Sequence, residues 1–221
     1  MPHVAVTGAN RGIGLEIVKQ VRERGDEVIA VCRASSDELE RTGARIVASI
    51  DVSDPDDVER LAREVGAESL DMLINNAGIL QPETLGIDDW DDSIRRQFEI
   101  NALGPLRVTL ALSPLMRPGS KVGIVSSRVG SIADNDSGGH YGYRMSKAAV
   151  NIAGVNLAHE LRPREIAVFL LHTGYVRTGM TGGHGSKDAS TAARELIALM
   201  DRLTLSDSGT FWHAEGYSLP W

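Results

Sequence analysis

The chain has almost no cysteine: Cys32 is the only one in 221 residues, so no intramolecular disulfide framework holds it together. It also lacks an excess of positive charge. Its 23 Lys and Arg stand against 30 Asp and Glu, a formal net charge of −7. That argues against a protein devoted to nucleic acid or to an anionic membrane, because both reward a basic surface. No apolar run approaches the roughly 18 residues that span a bilayer. The opening MPHVAVTGANRGIG has no basic stretch, apolar stretch and small-residue cleavage site in succession, so no secretory signal is expected and the chain reads as soluble and cytoplasmic. The histidines (3, 140, 159, 172, 184 and 213) form no i, i+4 pair with an acid between them, and no metal site is expected. Repeats, low-complexity tracts and linker-like shifts of composition are absent too. The expectation is one domain over residues 1–221, long enough to bury a core without staples.

What the sequence does have is alternation. Short apolar, partly β-branched runs at 3–7, 27–32, 45–50, 70–75, 121–126 and 166–171 read as strands. Between them lie stretches of helical periodicity at about 12–24, 54–65, 91–112, 141–162 and 188–202, with a short last strand near 209–213. Asp54-Pro55-Asp56-Asp57 is a strong helix start: an acidic cap, proline at the first position and acids in the first turn. Gly104-Pro105 should kink the long helix that contains it. Near-continuous apolar strands alternating with helices predict an α/β fold: a doubly wound parallel sheet of Rossmann type with helices on both faces. In such sheets ligands bind outside the carboxyl ends of the strands.

The first strand end carries TGANRGIG, with glycines at 8, 12 and 14. Gly8 suits a tight turn, Gly12 lets backbone approach a diphosphate, and Gly14 suits close helix–sheet packing. The following helix start offers N–H groups and a positive dipole end to phosphates. The residue that reads the adenosine ribose should follow the second strand, where the sequence is Val31-Cys32-Arg33-Ala34-Ser35-Ser36. No acid stands there for a free 2′-hydroxyl. Arg33, with Arg11 in the glycine turn, favours a 2′-phosphate through charge-assisted hydrogen bonds. NADP(H) is therefore expected in preference to NAD(H), although Asp37 lies close enough to keep NAD(H) open, and an exposed loop arginine is the plain alternative for Arg33.

Tyr143 and Lys147 stand four residues apart in a predicted helix, on one face. A free phenol titrates near ~10 and exchanges protons poorly at neutral pH. A neighbouring ammonium favours the phenolate; bringing the phenol to about 7 takes roughly 4 kcal/mol, at ~1.36 per unit. Tyr141, with Met145 four residues on, has no such partner.

TGANRGIG, Asn75-Asn76-Ala77-Gly78 after the fourth strand, IVSS after the fifth, and YRMSK resemble, in that order, the short-chain dehydrogenase/reductase family. The stretches SSRVGSI, SGGHYGYRMSKAAVN and FWHAEGYSLPW are similar to its C-factor/sniffer-like carbonyl reductase branch. The resemblance implies an NADP-dependent enzyme that moves a hydride between the nicotinamide and a small carbonyl or alcohol substrate. Ser127 would polarise the carbonyl, Tyr143 would act as general acid/base, Lys147 would bond the nicotinamide ribose and lower the tyrosine pKa, and Asn101 would support the lysine through water. Gly8, Asn10, Arg11, Gly12 and Ile13 would cradle the cofactor. Arg33, Asp51 and Val52 would meet its adenosine end, and Asn75, Ala77 and Gly78 would line the cleft. Gly174, Val176 and Thr178 would hold the carboxamide. The family usually has proline before that glycine, where this chain has Thr173.

Ser126 and Ser127 are adjacent, and successive strand residues face opposite ways, so one of them faces the site; position favours Ser127. A loop of Thr181 to Lys187, rich in glycine, is placed to close over substrate, and Tyr175, Met180 and Ser127–Ile132 favour a nonpolar aldehyde or ketone. Helices at 91–112 and 141–162 resemble the family's pairing surfaces, so a homodimer or homotetramer is expected. A dinucleotide-binding signalling or regulatory protein of C-factor type is the alternative, since fold does not fix use.

Overall fold

The structure, a computed structural model, describes residues 1–66, 69–87 and 89–221. The first apolar run is β1 (His3–Thr7), and the glycine turn leads into α1 (Gly12–Glu23). There follow β2 (Glu27–Val31), a short α2 (Asp37–Glu40), β3 (Arg45–Val47), α3 (Pro55–Val65) and β4 (Leu70–Asn75). Then come α4 (Trp90–Phe98), a π-helical turn (Glu99–Leu103), α5 (Gly104–Leu112), β5 (Met116–Val125), α6 (Tyr141–Leu161) and β6 (Ala167–His172). A two-residue ladder, β7 (Val176–Arg177) with β8 (Lys187–Asp188), precedes α7 (Ala189–Arg202) and β9 (Thr210–His213).

Seven strands form one sheet in the order β3-β2-β1-β4-β5-β6-β9, with every neighbouring pair parallel. The chain winds outward from β1 to β3, then returns to the other side of β1 through β4. That reversal is the switch point at which a crevice opens beyond the strand ends.

Each face of the sheet is covered by its own apolar layer. On one face Leu70, Leu73, Ile124, Leu170 and Phe211 pack with Leu112, Val150 and Leu157 from α5 and α6. On the other, Ile74, Phe169 and Leu171 pack with Ile17 and Val18 of α1 and Leu196 and Met200 of α7. Consecutive residues 169, 170 and 171 thus go to alternate faces, and both faces are dry, which is why the strand reads as an unbroken apolar run. Each such fully buried side chain contributes roughly 1.5–3 kcal/mol.

The structure differs from the sequence-based expectations in a few places. The third strand ends at Val47 because Ser49 takes a left-handed backbone (φ 59°) and leaves the ladder. The short α2 follows from Ser36, whose hydroxyl caps it by accepting from the Leu39 N–H at 3.2 Å. The long helix at 91–112 is two helices joined by the π turn. Pro105 has no N–H for the carbonyl four residues back, and the Gly104 N–H reaches instead to the Glu99 carbonyl, five residues back.

Candidate active site

A cleft of about 570 Å³ lies at the switch point, within the size range of small-molecule and cofactor sites. Its floor is the glycine turn: Gly8, Asn10, Arg11, Gly12 and Ile13. Gly8 (φ 65°) and Gly12 (φ 56°) both have the left-handed backbone that only glycine takes without strain. A Cβ on Gly8 would stand 2.9 Å from Ala77 Cα, and one on Gly14 would stand 2.3 Å from the Gly8 carbonyl oxygen. The turn is therefore pressed against the segment after β4 with no room for side chains. Asn76 locks the two together, its Nδ2 donating to the carbonyls of Thr7 (3.0 Å) and Gly8 (3.2 Å). Helix α1 starts with no side-chain cap and no acid in its first turn, leaving its positive end free for an anion.

Arg33, Ala34, Asp51, Val52, Ala77, Gly78 and Thr178 line the same cleft. Arg33 is exposed, with its Nη1 3.8 Å from Asp51 Oδ2. Burial pushes the Asp51 carboxyl up, but hydrogen bonds from Ser53 and the charges of Arg33 and Arg96 outweigh it and hold the group below the usual carboxylate range. A glycine cradle, an uncapped helix start and two guanidiniums together fit a phosphorylated dinucleotide.

The expected reactive side chains Asn101, Ser127, Tyr143 and Lys147 do not line the cleft itself; Gly78, which does, stands next to two of them. A Cβ on Gly78 would stand 3.2 Å from Asn101 Oδ1 and 3.8 Å from Lys147 Nζ. Lys147 is 4% exposed. Its ammonium donates to the Val125 carbonyl at 2.7 Å and lies 5.6 Å from the Tyr143 ring centroid. Burial pulls its pKa down to about 8. Ser127 stands close enough to Tyr143 to favour its phenolate, whereas Ser126 turns the other way and donates to Asn151 Oδ1 at 2.6 Å. Asn101, fully buried in the π turn, bonds both backbone groups of Ile79: it accepts from the N–H at 2.8 Å and donates to the carbonyl at 2.9 Å.

The sign of the tyrosine shift differs from expectation. Burial raises the Tyr143 pKa, and the nearby Ser127 hydroxyl offsets this only in part. The physical reason is position: the ammonium is held by a carbonyl of β5 and sits over the ring, while desolvation penalises the phenolate.

Five residues expected at the cofactor lie off the cleft lining: Tyr143 and Lys147, described above, and Asn75, Gly174 and Val176. Asn75 is buried and donates to Thr109 Oγ1 at 3.0 Å; its neighbour Asn76 takes the cleft position. Gly174 (φ 85°) abuts Lys187, whose Cε would stand 2.9 Å from a Cβ there. Val176 is 3% exposed and pairs with Lys187 across the β7–β8 ladder. Lys187 bridges Glu195 (2.6 Å) and Glu215 (2.8 Å), which ties the glycine-rich loop to α7 and the C-terminal segment. The sequence reading also passed over His172, at the end of β6. It meets His213 edge-on at 5.1 Å. Burial pulls its pKa down to about 3, with the charges of His213, Arg128, Lys187 and Lys147 acting in the same direction. Its place after an apolar run at a strand's carboxyl end was the available signal.

The comparisons with known proteins agree with this geometry. The family model for short chain dehydrogenases matches residues 2–189. A Rhodococcus sp. (strain AD45) protein, 1-hydroxy-2-glutathionyl-2-methyl-3-butene dehydrogenase, is 43% identical over 227 residues, covering 100% of both chains. The C-signal protein of Myxococcus xanthus is 43% identical over 163 residues, 72% of this chain and 98% of the relative. The solved structure of an NADPH-bound carbonyl reductase from chicken fatty liver superposes with a TM-score of 0.90 at 27% identity, covering 100% of this chain and 99% of that one. With its glycine turn, sheet order and full-length relatives in accord, the chain belongs to the short-chain dehydrogenase family of oxidoreductases, in the C-factor/sniffer-like branch.

Proposed function

We propose that this chain is an NADP(H)-dependent oxidoreductase that interconverts a small carbonyl compound and its alcohol, with Tyr143 as the general acid/base. The observation that carries the reading is the convergence of Ser127, Tyr143 and Lys147 beside the glycine cleft. The names of the relatives support it: the Rhodococcus protein is a dehydrogenase of a hydroxy compound, and the chicken enzyme binds NADPH. The 2′-phosphate preference rests on Arg33 and Arg11, both in the cleft lining.

Gly8–Ile13, Arg33 and the segment from Asn76 to Gly78 would hold NADP(H), whose nicotinamide would supply or take up the hydride. Ser127 holds and polarises the substrate oxygen. Tyr143, kept as a neutral phenol by burial, is in the form that donates a proton to that oxygen, so the site is charged for reduction; the reverse reaction needs the phenolate. Lys147, an ammonium below pH about 8, would hold the nicotinamide ribose and be the source from which the tyrosine's proton is restored. Asn101, buried beside Gly78 like Lys147, would support it through a water. Donors fixed in advance at the developing alkoxide lower the barrier without reorganising. Exposed Tyr175, Met180 and Ile132 favour a nonpolar aldehyde or ketone. Exposed Leu103, Leu110 and Ile152, in or beside α5 and α6, are the residues through which a homo-oligomer would pair.

The regulatory reading suggested by the C-signal relative is not favoured, because binding a dinucleotide has no use for a hydroxyl, a phenol and an amine brought together. A screen of aliphatic and aromatic aldehydes, ketones and alcohols, following nicotinamide absorbance with each cofactor, tests the proposal. Turnover with at least tenfold preference for NADPH is expected. No turnover with either cofactor across the screen rejects it.

A further inference from the structure

We infer that Glu83 and Gln97 form a positioning clamp that sets the wall of the cofactor cleft against the helix carrying Tyr143. The inference rests on the reading of Tyr143 as proton donor. Neither residue touches substrate or reacting atoms; both act through what they hold.

Helix α6 begins without a local cap. Its N-cap residue, His140, has a left-handed backbone (φ 46°, ψ 49°) and contributes no side-chain bond, whereas N-caps ordinarily lie in the β region and bond the first turn with a side-chain oxygen. The missing cap comes from 59 residues away in sequence: Glu83 Oε1 accepts from the Gly142 N–H at 2.8 Å. A carboxylate there satisfies an orphan donor and complements the positive end of the helix. Tyr143 is the next residue.

Glu83 is itself held. Its Oε2 accepts from Gln97 Nε2 at 3.2 Å, and Gln97 is 0% exposed. Gln97 also grips the backbone of Gln81 on both sides, accepting from its N–H at 3.2 Å and donating to its carbonyl at 3.0 Å. Asn101, four residues later, does the same to Ile79. Two amide side chains one helical turn apart, about 6 Å, thus pair with alternate residues of a segment, about 6.6 Å apart when extended. They form a side-chain ladder in place of a neighbouring strand. Ile79 lines the cofactor cleft, so the ladder runs from the cleft wall to Glu83, and Glu83 hands it to α6. Gly142 completes the fit: a Cβ there would stand 2.5 Å from Gln97 Nε2 and 3.1 Å from Ile94 Cα.

The test compares Glu83→Leu, Glu83→Gln, Gln97→Leu and the Leu/Leu double variant in the full chain. It measures kcat and KM with NADPH and 4-nitrobenzaldehyde, NADPH affinity by fluorescence, and hydrogen exchange at the Gly142 amide. Glu83→Leu should lower kcat at least tenfold, leave NADPH affinity within twofold and deprotect Gly142. Glu83→Gln, which keeps an oxygen for the Gly142 N–H, should recover most of both losses. Gln97→Leu, which frees both sides of the clamp, should weaken NADPH binding and kcat together. The double variant should be no worse than Gln97→Leu by more than twofold, because one device is being broken twice. Wild-type kcat in Glu83→Leu, or losses that multiply in the double variant, overturns the clamp. If the wild-type chain turns over no carbonyl, the proton-donor reading falls, and the exchange data alone decide whether the clamp stands: unchanged Gly142 protection in Glu83→Leu sinks it as well.

Discussion

The Lys147 ammonium donates a 2.7 Å hydrogen bond to the carbonyl of Val125, fastening α6 to the strand whose end delivers Ser127. That bond fixes the amine's place over the Tyr143 ring, and the surrounding burial pulls its pKa to about 8. Activity should fall as pH rises through about 8, where the ammonium discharges. An unfolded lysine keeps its proton to about 10.4, so between those values the unfolded chain binds more protons and stability rises with pH. In Lys147→Met both the alkaline loss of kcat, which will already be near zero, and that rise in stability should be absent. A pH–rate profile flat from 7 to 10 in the wild type contradicts the assignment.

Tyr143→Phe removes the proton donor and nothing else of bulk. We expect kcat to drop by about 10²–10⁴, the usual scale for a lost general acid, with NADPH affinity within twofold of wild type. Fluorescence titration beside steady-state kinetics checks both halves. Undiminished turnover would take the general-acid role away from this residue.

Arg33 bears on cofactor choice. It is exposed, and among the described residues its ion-pair partner is Asp51 at 3.8 Å, so its charge is available to a 2′-phosphate. Arg33→Ala should raise KM for NADPH at least tenfold and leave KM for NADH nearly unchanged, because only the former loses a charge-assisted bond. Equal changes for the two cofactors would mean that Arg33 is an ordinary surface arginine.

His172 governs stability in acid. Burial holds its pKa near about 3, while an unfolded histidine takes up its proton near ~6.5. Stability present above ~6.5 is therefore lost as pH falls toward 3, because there the unfolded state binds the extra proton. His172→Phe, which keeps a ring against His213, should flatten the denaturation midpoint between pH 6.5 and 4. Parallel curves for variant and wild type would refute this.

Much of the fold was legible because buried parallel strands and amphipathic helices leave opposite signatures along the chain. The Asp54-Pro55 helix start and the run at 70–75 were read to the residue. Elements without an apolar signature were not: α2 depends on a serine cap, and the β7–β8 ladder is two residues long. The site was legible where spacing is local. Tyr143 and Lys147 share a face because one helical turn separates them. Asn75 and Asn76, or Ser126 and Ser127, cannot be ranked by spacing, since the choice depends on whether Thr109 or Asn151 waits on the other side.

The sequence by itself determined the order of strands and helices, the glycine turn and the Tyr–Lys pairing, all of which follow from periodicity, φ freedom and helical geometry within a few residues. Only the tertiary structure decided the sign of the Tyr143 shift, the neutrality of His172 and the remote cap on α6. Each of these depends on desolvation or on a partner tens of residues away, and neither is written in local order.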